Sequence, residues 1–402
     1  MSETLANHPG PADPAPAATP PAGDLDLAPL PGAGTWHLTW RGVRTVTRLE
    51  LRQRVRSTRW IVVLVVWALV LGALAALIHH AVFADAFSNL NDAQRNSHAG
   101  ASMFGLVVLL VLSLGSLVAP ALSATSVNGD RSAGVLATLQ ATLLTPAEIA
   151  IGKLLAAWLT ALALLAVASP FIGWAFVTGG TPGGRLVVVV LLLAVMLLVV
   201  CAIGLGWSAL TARSASSAVL TYLSVAFLGL GLPMLFGLMI PVVTSTELRQ
   251  VRQMEPVSTV DPGQATNDQP AMHCVQSAQF TSVTHFERIW WLLAADPFVV
   301  IADAAPLPSG KVDDGDADVL SVTRSGVREL RLGEPAVTDE CFEQGTDQQA
   351  NDAARRAQRE KLGVVWPYGL AANLGVGAAF TVLAVRRLRA PARRLPRGTR
   401  VA

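Results

Sequence analysis

Six stretches of this 402-residue chain are too long and too apolar to rest in water. They are Trp60–Ile78, Phe104–Ser123, Ile151–Val177, Leu186–Trp207, Val219–Ile240 and Val364–Val385. At 1.5 Å per residue, roughly 20 residues cross the ~30 Å hydrocarbon core of a bilayer. A backbone inside hydrocarbon has to satisfy its own hydrogen bonds, and a helix does so within one segment. Pro170, Pro233 and Pro367 fall within three of the stretches, where membrane helices tolerate them. Composition agrees: 52% of residues are hydrophobic and only 14% charged, with mean hydropathy +0.48. A soluble domain carries about a quarter charged residues. The expected fold is an all-α polytopic membrane protein with six transmembrane helices.

Arginine and lysine near helix ends stay in the cytoplasm. Arg41 to Arg59 holds seven arginines against one acid, Glu50, and Arg386 to Arg400 holds seven and no acid. Arg131 and Lys153 flank the connection between the second and third helices, and Arg213 follows the fourth. The opposite connections carry only Arg95 and Arg185. Both termini are therefore expected in the cytoplasm, and the segment between helices 5 and 6 becomes a large extracytoplasmic insertion. That insertion, Thr244 to Leu362, holds 19 acidic and 11 basic residues. Its two cysteines, Cys274 and Cys341, lie on the side where disulfides persist. They are expected to be bridged, two unpaired thiols being the alternative; Cys201, mid-helix, is expected to pack.

The organisation follows from these assignments. Residues 1–35 form a Pro/Ala-rich cytoplasmic tail with too few apolar residues to bury a core. Residues 36–59 read as a basic amphipathic helix with Trp36 and Trp40, lying flat on the membrane before the first span. It serves either as a contact surface for a cytoplasmic partner or as a plain interfacial anchor. Residues 60–243 hold helices 1–5, with a cytoplasmic loop at 128–153. The extracytoplasmic domain occupies 244–362, helix 6 occupies 363–386, and 387–402 is a basic tail. Within the insertion, Ile289 to Ala305 is apolar but too short to span, and Asp296-Pro297 breaks it. Asn351 to Lys361 reads as a polar helix leading into the last span.

The spans contain essentially no ionisable groups, which argues against an ion-coupled carrier or an intramembrane enzyme. His79, His80 and His98 lack the Cys or carboxylate spacing of a metal site, so no metal is expected. Gly206-Trp207-Ser208 has no histidine within a span to act as base, so no catalytic residue is expected either. Nothing in the composition points to nucleic acid.

The informative stretch runs from Gly129 to Lys153. An acidic-basic pair, Asp130-Arg131, precedes Gly134 and Leu136, and an amphipathic run follows. Thr145-Pro146-Ala147-Glu148 then opens a helix with a cap residue, a proline at the first position and an acid in the first turn. Gly152-Lys153 leads into the third span. This pattern resembles the first cytoplasmic loop of the permeases of type-2 ABC exporters, with Val135 and Leu143 as departures that leave the spacing intact. Together with six spans and the basic lead-in, the resemblance covers Trp36 to Arg389. It implies that Asp130, Arg131, Gly134, Glu148, Gly152 and Lys153 form a coupling loop, its charges exposed, that docks on separate ABC ATPase subunits. ATP and magnesium would be bound there and no cofactor held by this chain. Gly152-Lys153 is not a phosphate-binding loop, since Ala147 and Leu154 occupy positions that need Gly and Ser or Thr.

The expected function is the permease subunit of an exporter in the cell (cytoplasmic) membrane. It would be seated in the lipid bilayer and paired with a second permease chain, identical or related. The alternative is a membrane-anchored receptor or assembly protein whose purpose is the 244–362 domain.

Overall fold

A computed structural model describes residues 34–84, 92–134, 144–179, 183–256, 272–306, 318–333, 337–339, 357 and 363–389. Six helical segments among them are long and apolar enough to cross a membrane: Trp60–Phe83, Ala99–Ser132, Pro146–Thr178, Gly183–Leu210, Ser214–Val243 and Trp366–Arg387. Each coincides with one of the apolar stretches of the sequence.

In chain order, α1 (Trp40–Val55) is followed almost at once by α2 (Thr58–Ala84), then by α3 (Asp92–Ser123), the short α4 (Ser126–Ser132), α5 (Pro146–Gly179) and α6 (Gly183–Leu210). The fifth span consists of α7 (Ser214–Ala226), a π-helical turn at Phe227–Gly231, and α8 (Leu232–Val243). Pro233, at the start of α8, has no N–H to give to the preceding turn, and a widened turn there accommodates its ring. The insertion holds α9 (Trp290–Ala294), α10 (Pro297–Ala304) and α11 (Val319–Leu332), and the last span is α12 (Trp366–Arg387).

The main core joins α2, α3, α5 and α6, with Leu71, Phe104, Leu164, Ile172 and Leu193 buried among them. Two indoles lock neighbouring spans, Trp67 donating to the Leu164 carbonyl at 3.0 Å and Trp158 to the Ala194 carbonyl at 2.8 Å. His79 stacks between Phe83 and Trp174, so its ring packs as an aromatic. The His98 side chain lies outside the described residues.

The insertion departs from expectation in its strands: the fold is mostly helical rather than all-α. Strands β1 (Thr244–Pro256) and β2 (Met272–Thr284) pair antiparallel from Thr244↔Thr284 to Pro256↔Met272, and β3 (Val337–Asp339) adds parallel to β1 in the order β2-β1-β3. These segments are polar and rich in Thr, Ser, Val and Gln, which suits a pleated surface. Outside the apolar stretches the rule that only a helix satisfies the backbone no longer applies.

The helical part of the insertion packs against the spans. Helices α9 (Trp290–Ala294) and α10 (Pro297–Ala304) are separated where Asp296-Pro297 forms a cap, Asp296 accepting from the Phe298 N–H at 2.7 Å. Val300, Ile301 and Ala302 of α10 and Leu320 of α11 (Val319–Leu332) are buried in the same core as the spans. Asp303 accepts from the Val365 and Trp366 N–H groups, both at 2.7 Å, and so caps the last span. Asn373 of that span donates to the Ala295 carbonyl. The polar helix expected at Asn351 to Lys361 lies outside the described residues, apart from Ala357.

Candidate functional site at the junction of α1, α4 and α5

Helix α5 has 34 residues and is therefore about 51 Å long, against a hydrocarbon core of ~30 Å. It is longer than that core is thick, and its first turns carry α1. Helix α1 runs alongside α5 in the same direction. Thr39 meets Glu148, Thr47 donates to the Gly152 carbonyl at 3.1 Å, Glu50 meets Lys153 and Arg54 meets Thr160. Val43 and Val46 are buried against α5. Of the apolar stripe, Val43 and Val46 face α5, while Trp36, Leu38, Trp40, Leu49 and Val55 stay exposed.

Glu148 organises this contact. Thr145 and Glu148 form a reciprocal capping box: the Thr145 N–H donates to Oε2 at 2.9 Å, and the Glu148 N–H donates to the Thr145 hydroxyl at 3.2 Å. The other carboxylate oxygen accepts from the N–H and the hydroxyl of Thr39, which caps α1. One carboxylate therefore starts two helices, and it is only 2% exposed. Close approach is possible because Gly42 and Gly152 have no side chains. A Cβ on Gly42 would lie 2.5 Å from the Glu148 carboxyl carbon, and one on Gly152 would lie 2.6 Å from the Val46 Cβ.

Lys153 is the second organising group. It is 1% exposed, and its Nζ is ion-paired both to Glu50 of α1 and to Asp130 of α4. One turn beyond Glu50, Arg54 donates to the Leu122 carbonyl at 3.0 Å, and burial pushes its guanidinium below its usual value while Glu50 holds it up. Helix α4 is seated differently. The Ser208 hydroxyl accepts from the N–H groups of Val127 and Asn128, the Asn128 amide reaches Thr211 and Arg213, and Ser217 donates to the Ala124 carbonyl. Gly134, at φ +69°, follows the end of α4 in the left-handed conformation.

The six residues singled out by sequence do not share one environment. Arg131 and Gly134 are exposed and Asp130 is half-buried, whereas Glu148, Gly152 and Lys153 are buried and engaged within the chain. The expectation of exposed charges at Glu148 and Lys153 is corrected: their partners, Thr39 and Glu50, come from more than a hundred residues upstream. Glu50 was visible as the lone acid among seven arginines, whereas Thr39 gave no signal. Residues 135–143 lie outside the described residues. The outer face of α1 shows Arg41, Arg44, Arg48, Arg52 and Arg56 to the surroundings.

At the other end of α5 the polar contacts are buried. Arg185, expected in a connection, sits in the first turn of α6, fully buried, ion-paired to Asp318 and lying over the Phe104 ring. Arg328 donates to Asp303 at 2.6 Å. Cys274 is disulfide-bonded, Cys201 is free and buried, and Cys341 lies outside the described residues. Among the described residues no group of three His, Cys, Asp or Glu side chains could hold a metal ion.

These features define a multi-pass membrane protein with buried charges at both ends of α5. Residues 44–287, more than half the chain, match the family model described as ABC-2 family transporter protein. The chain belongs to that family and is a transporter permease. No curated protein matches it.

Proposed function

We propose that the chain is the permease subunit of an ATP-driven exporter in the cytoplasmic membrane, with both termini in the cytoplasm. It pairs with a second permease chain and with two ABC ATPase subunits that bind ATP and magnesium. The observation that carries this reading is the junction at 130–153. It offers Arg131, Ser132 and Gly134 at the surface, while Asp130 beside them is ion-paired to Lys153 of the third span, which also pairs with Glu50 of α1. A push on the exposed part is therefore delivered to helices that enter the bundle. The arginine excess before the first span and after the last favours the cytoplasm for this end. The 244–362 insertion is then extracytoplasmic, where the disulfide at Cys274 persists and Cys341 is its proposed partner. A receptor built to present that insertion is disfavoured, because α10 and α11 are packed into the transport bundle itself.

Arg131→Glu tests the docking role. The side chain is exposed and its one described bond is a 3.4 Å contact to the Thr211 carbonyl. Reversing such a charge costs folding about half a kcal/mol or less. At an interface the same reversal costs several kcal/mol, since like charges are forced together. The variant is expected to accumulate at wild-type levels and to lose its ATPase, or the stimulated ATP turnover, on co-purification. Unchanged recovery and turnover would overturn the docking role. Glu148→Lys is unsuited to this test, because it would break the α1–α5 contact.

A further inference from the structure

We propose that Lys153 is a strut with one fixed and one releasable end, Glu50 being the fixed partner and Asp130 the releasable one. The proposal rests on the reading above, in which the segment containing Asp130 is moved by a partner. It adds where that movement is broken and where it is held.

Three observations distinguish the ends. The first is how each partner's helix is fastened. Glu50 belongs to α1, which is joined to α5 independently of Lys153: by both Thr39 donors on Glu148, by Thr47 on the Gly152 carbonyl, and by Val46 against Gly152. Asp130 belongs to α4, whose hydrogen bonds go to Ser208, Thr211 and Arg213 at the junction of α6 and α7. Among the described residues, the Asp130–Lys153 ion pair is the only polar link from α4 to α5 or α1.

The second is the geometry at the ammonium. Lys153 Nζ donates a hydrogen bond to Glu50 Oε1. Asp130 Oδ2 is buried and held by the ion pair without hydrogen-bond geometry. The third is charge. Two carboxylates share one ammonium, and Glu50 also faces the Arg54 guanidinium one turn on, so Glu50 keeps cationic company on its own helix. Releasing Asp130 leaves a neutral Lys153–Glu50 pair and returns the freed carboxylate toward the surface beside exposed Arg131. A buried ammonium that lost its last anion would be stranded at high cost. This one keeps a partner in both positions, so α4 can leave without unfolding the junction.

The test uses the full chain alone in lipid nanodiscs, so its outcome is independent of whether an ATPase binds. Hydrogen exchange and thermal unfolding are compared for wild type, Asp130→Asn, Glu50→Gln and the double variant. Asp130→Asn is expected to speed amide exchange in Ser126–Ser132 by about fivefold and to leave α1 within about twofold, because only α4 loses its link. Glu50→Gln should leave Ser126–Ser132 near wild type. The double variant should lose more thermal stability than the two single losses added, because only then is Lys153 buried without an anion. Additive losses would overturn the sharing, and equal loosening of Ser126–Ser132 in both single variants would overturn the assignment of fixed and releasable ends. Failure here with loss of the ATPase in Arg131→Glu would leave the docking role standing.

Discussion

The two ends of α5 solve the same problem, joining helices through charge, in opposite ways. At its beginning, one lysine is shared between two carboxylates that keep partial access to solvent, at 15% and 24% side-chain exposure. At the far end, Arg185–Asp318 and Arg328–Asp303 form two one-to-one pairs in which both aspartates are fully buried. A shared, half-wet charge is able to change partners, whereas a buried pair is costly to break and holds elements in one arrangement. The contrast assigns adjustment to the end carrying α4 and fixity to the end where α10 and α11 enter the bundle.

The largest effect expected from breaking this contrast lies at the dry end. Arg185→Met leaves Asp318 buried without a counter-charge, and breaking such a pair costs about 4 kcal/mol. Asp318 also caps α11, accepting from Ser321 N–H at 3.0 Å, so α11 should loosen with it. Thermal unfolding in detergent should show a large loss for Arg185→Met. Arg185→Met combined with Asp318→Asn should recover part of it, since the cap survives and the stranded charge does not. No recovery in the double variant would mean that the pair is not what holds α11.

A smaller loss is expected at the junction. Glu148→Ala removes the acceptor for the Thr39 N–H, the Thr39 hydroxyl and the Thr145 N–H. Leaving such donors unsatisfied costs about 3 kcal/mol in all. Exchange should rise across α1 and the start of α5 while α9–α11 keep their protection. A global loss of protection instead would mean that the two ends do not unfold separately.

The smallest effect is a pH dependence that sharpens the comparison. Burial pushes the Asp296 carboxyl up from 3.8 to about 7, against the N–H groups of Phe298 and Val299 that favour its charged form. The folded chain then keeps a proton that the unfolded chain releases between those values. Stability contributed by this group is therefore highest at low pH and falls as pH rises toward 7. Between pH 5 and pH 8 the loss should be about 2.6 kcal/mol, nearly two pH units at 1.36 kcal/mol each. Asp296→Asn keeps the acceptor for the Phe298 N–H without the titration, and its unfolding temperature should be flatter across that range. Parallel profiles for wild type and variant would remove Asp296 as the cause.

What could be read without coordinates followed from locality. The capping residues Thr145 and Glu148 are three apart and announce the start of α5; Asp296-Pro297 announces the break between α9 and α10. In both cases the determining contacts lie within one turn of chain. The paired strands were not read from Thr244–Pro256 and Met272–Thr284, because a hairpin is decided by its partner and short polar runs with β-branched residues also suit loops.

The sequence alone determined that this chain is a six-span membrane protein. An apolar run of about 20 residues has a single backbone solution in hydrocarbon, whatever its neighbours are. It also determined the helix start at Thr145 and the clustering of arginine at the chain's two flanks. Only the tertiary structure decided what the charges do. Glu148 and Lys153 look like surface residues until α1 is laid along α5, which brings Thr39 and Glu50 to them across 109 and 103 residues of sequence. Arg185 looks like a flanking positive charge until Asp318 arrives from 133 residues away. Whether a charge is solvated or buried is set by what packs over it, and that is a property of the assembled helices.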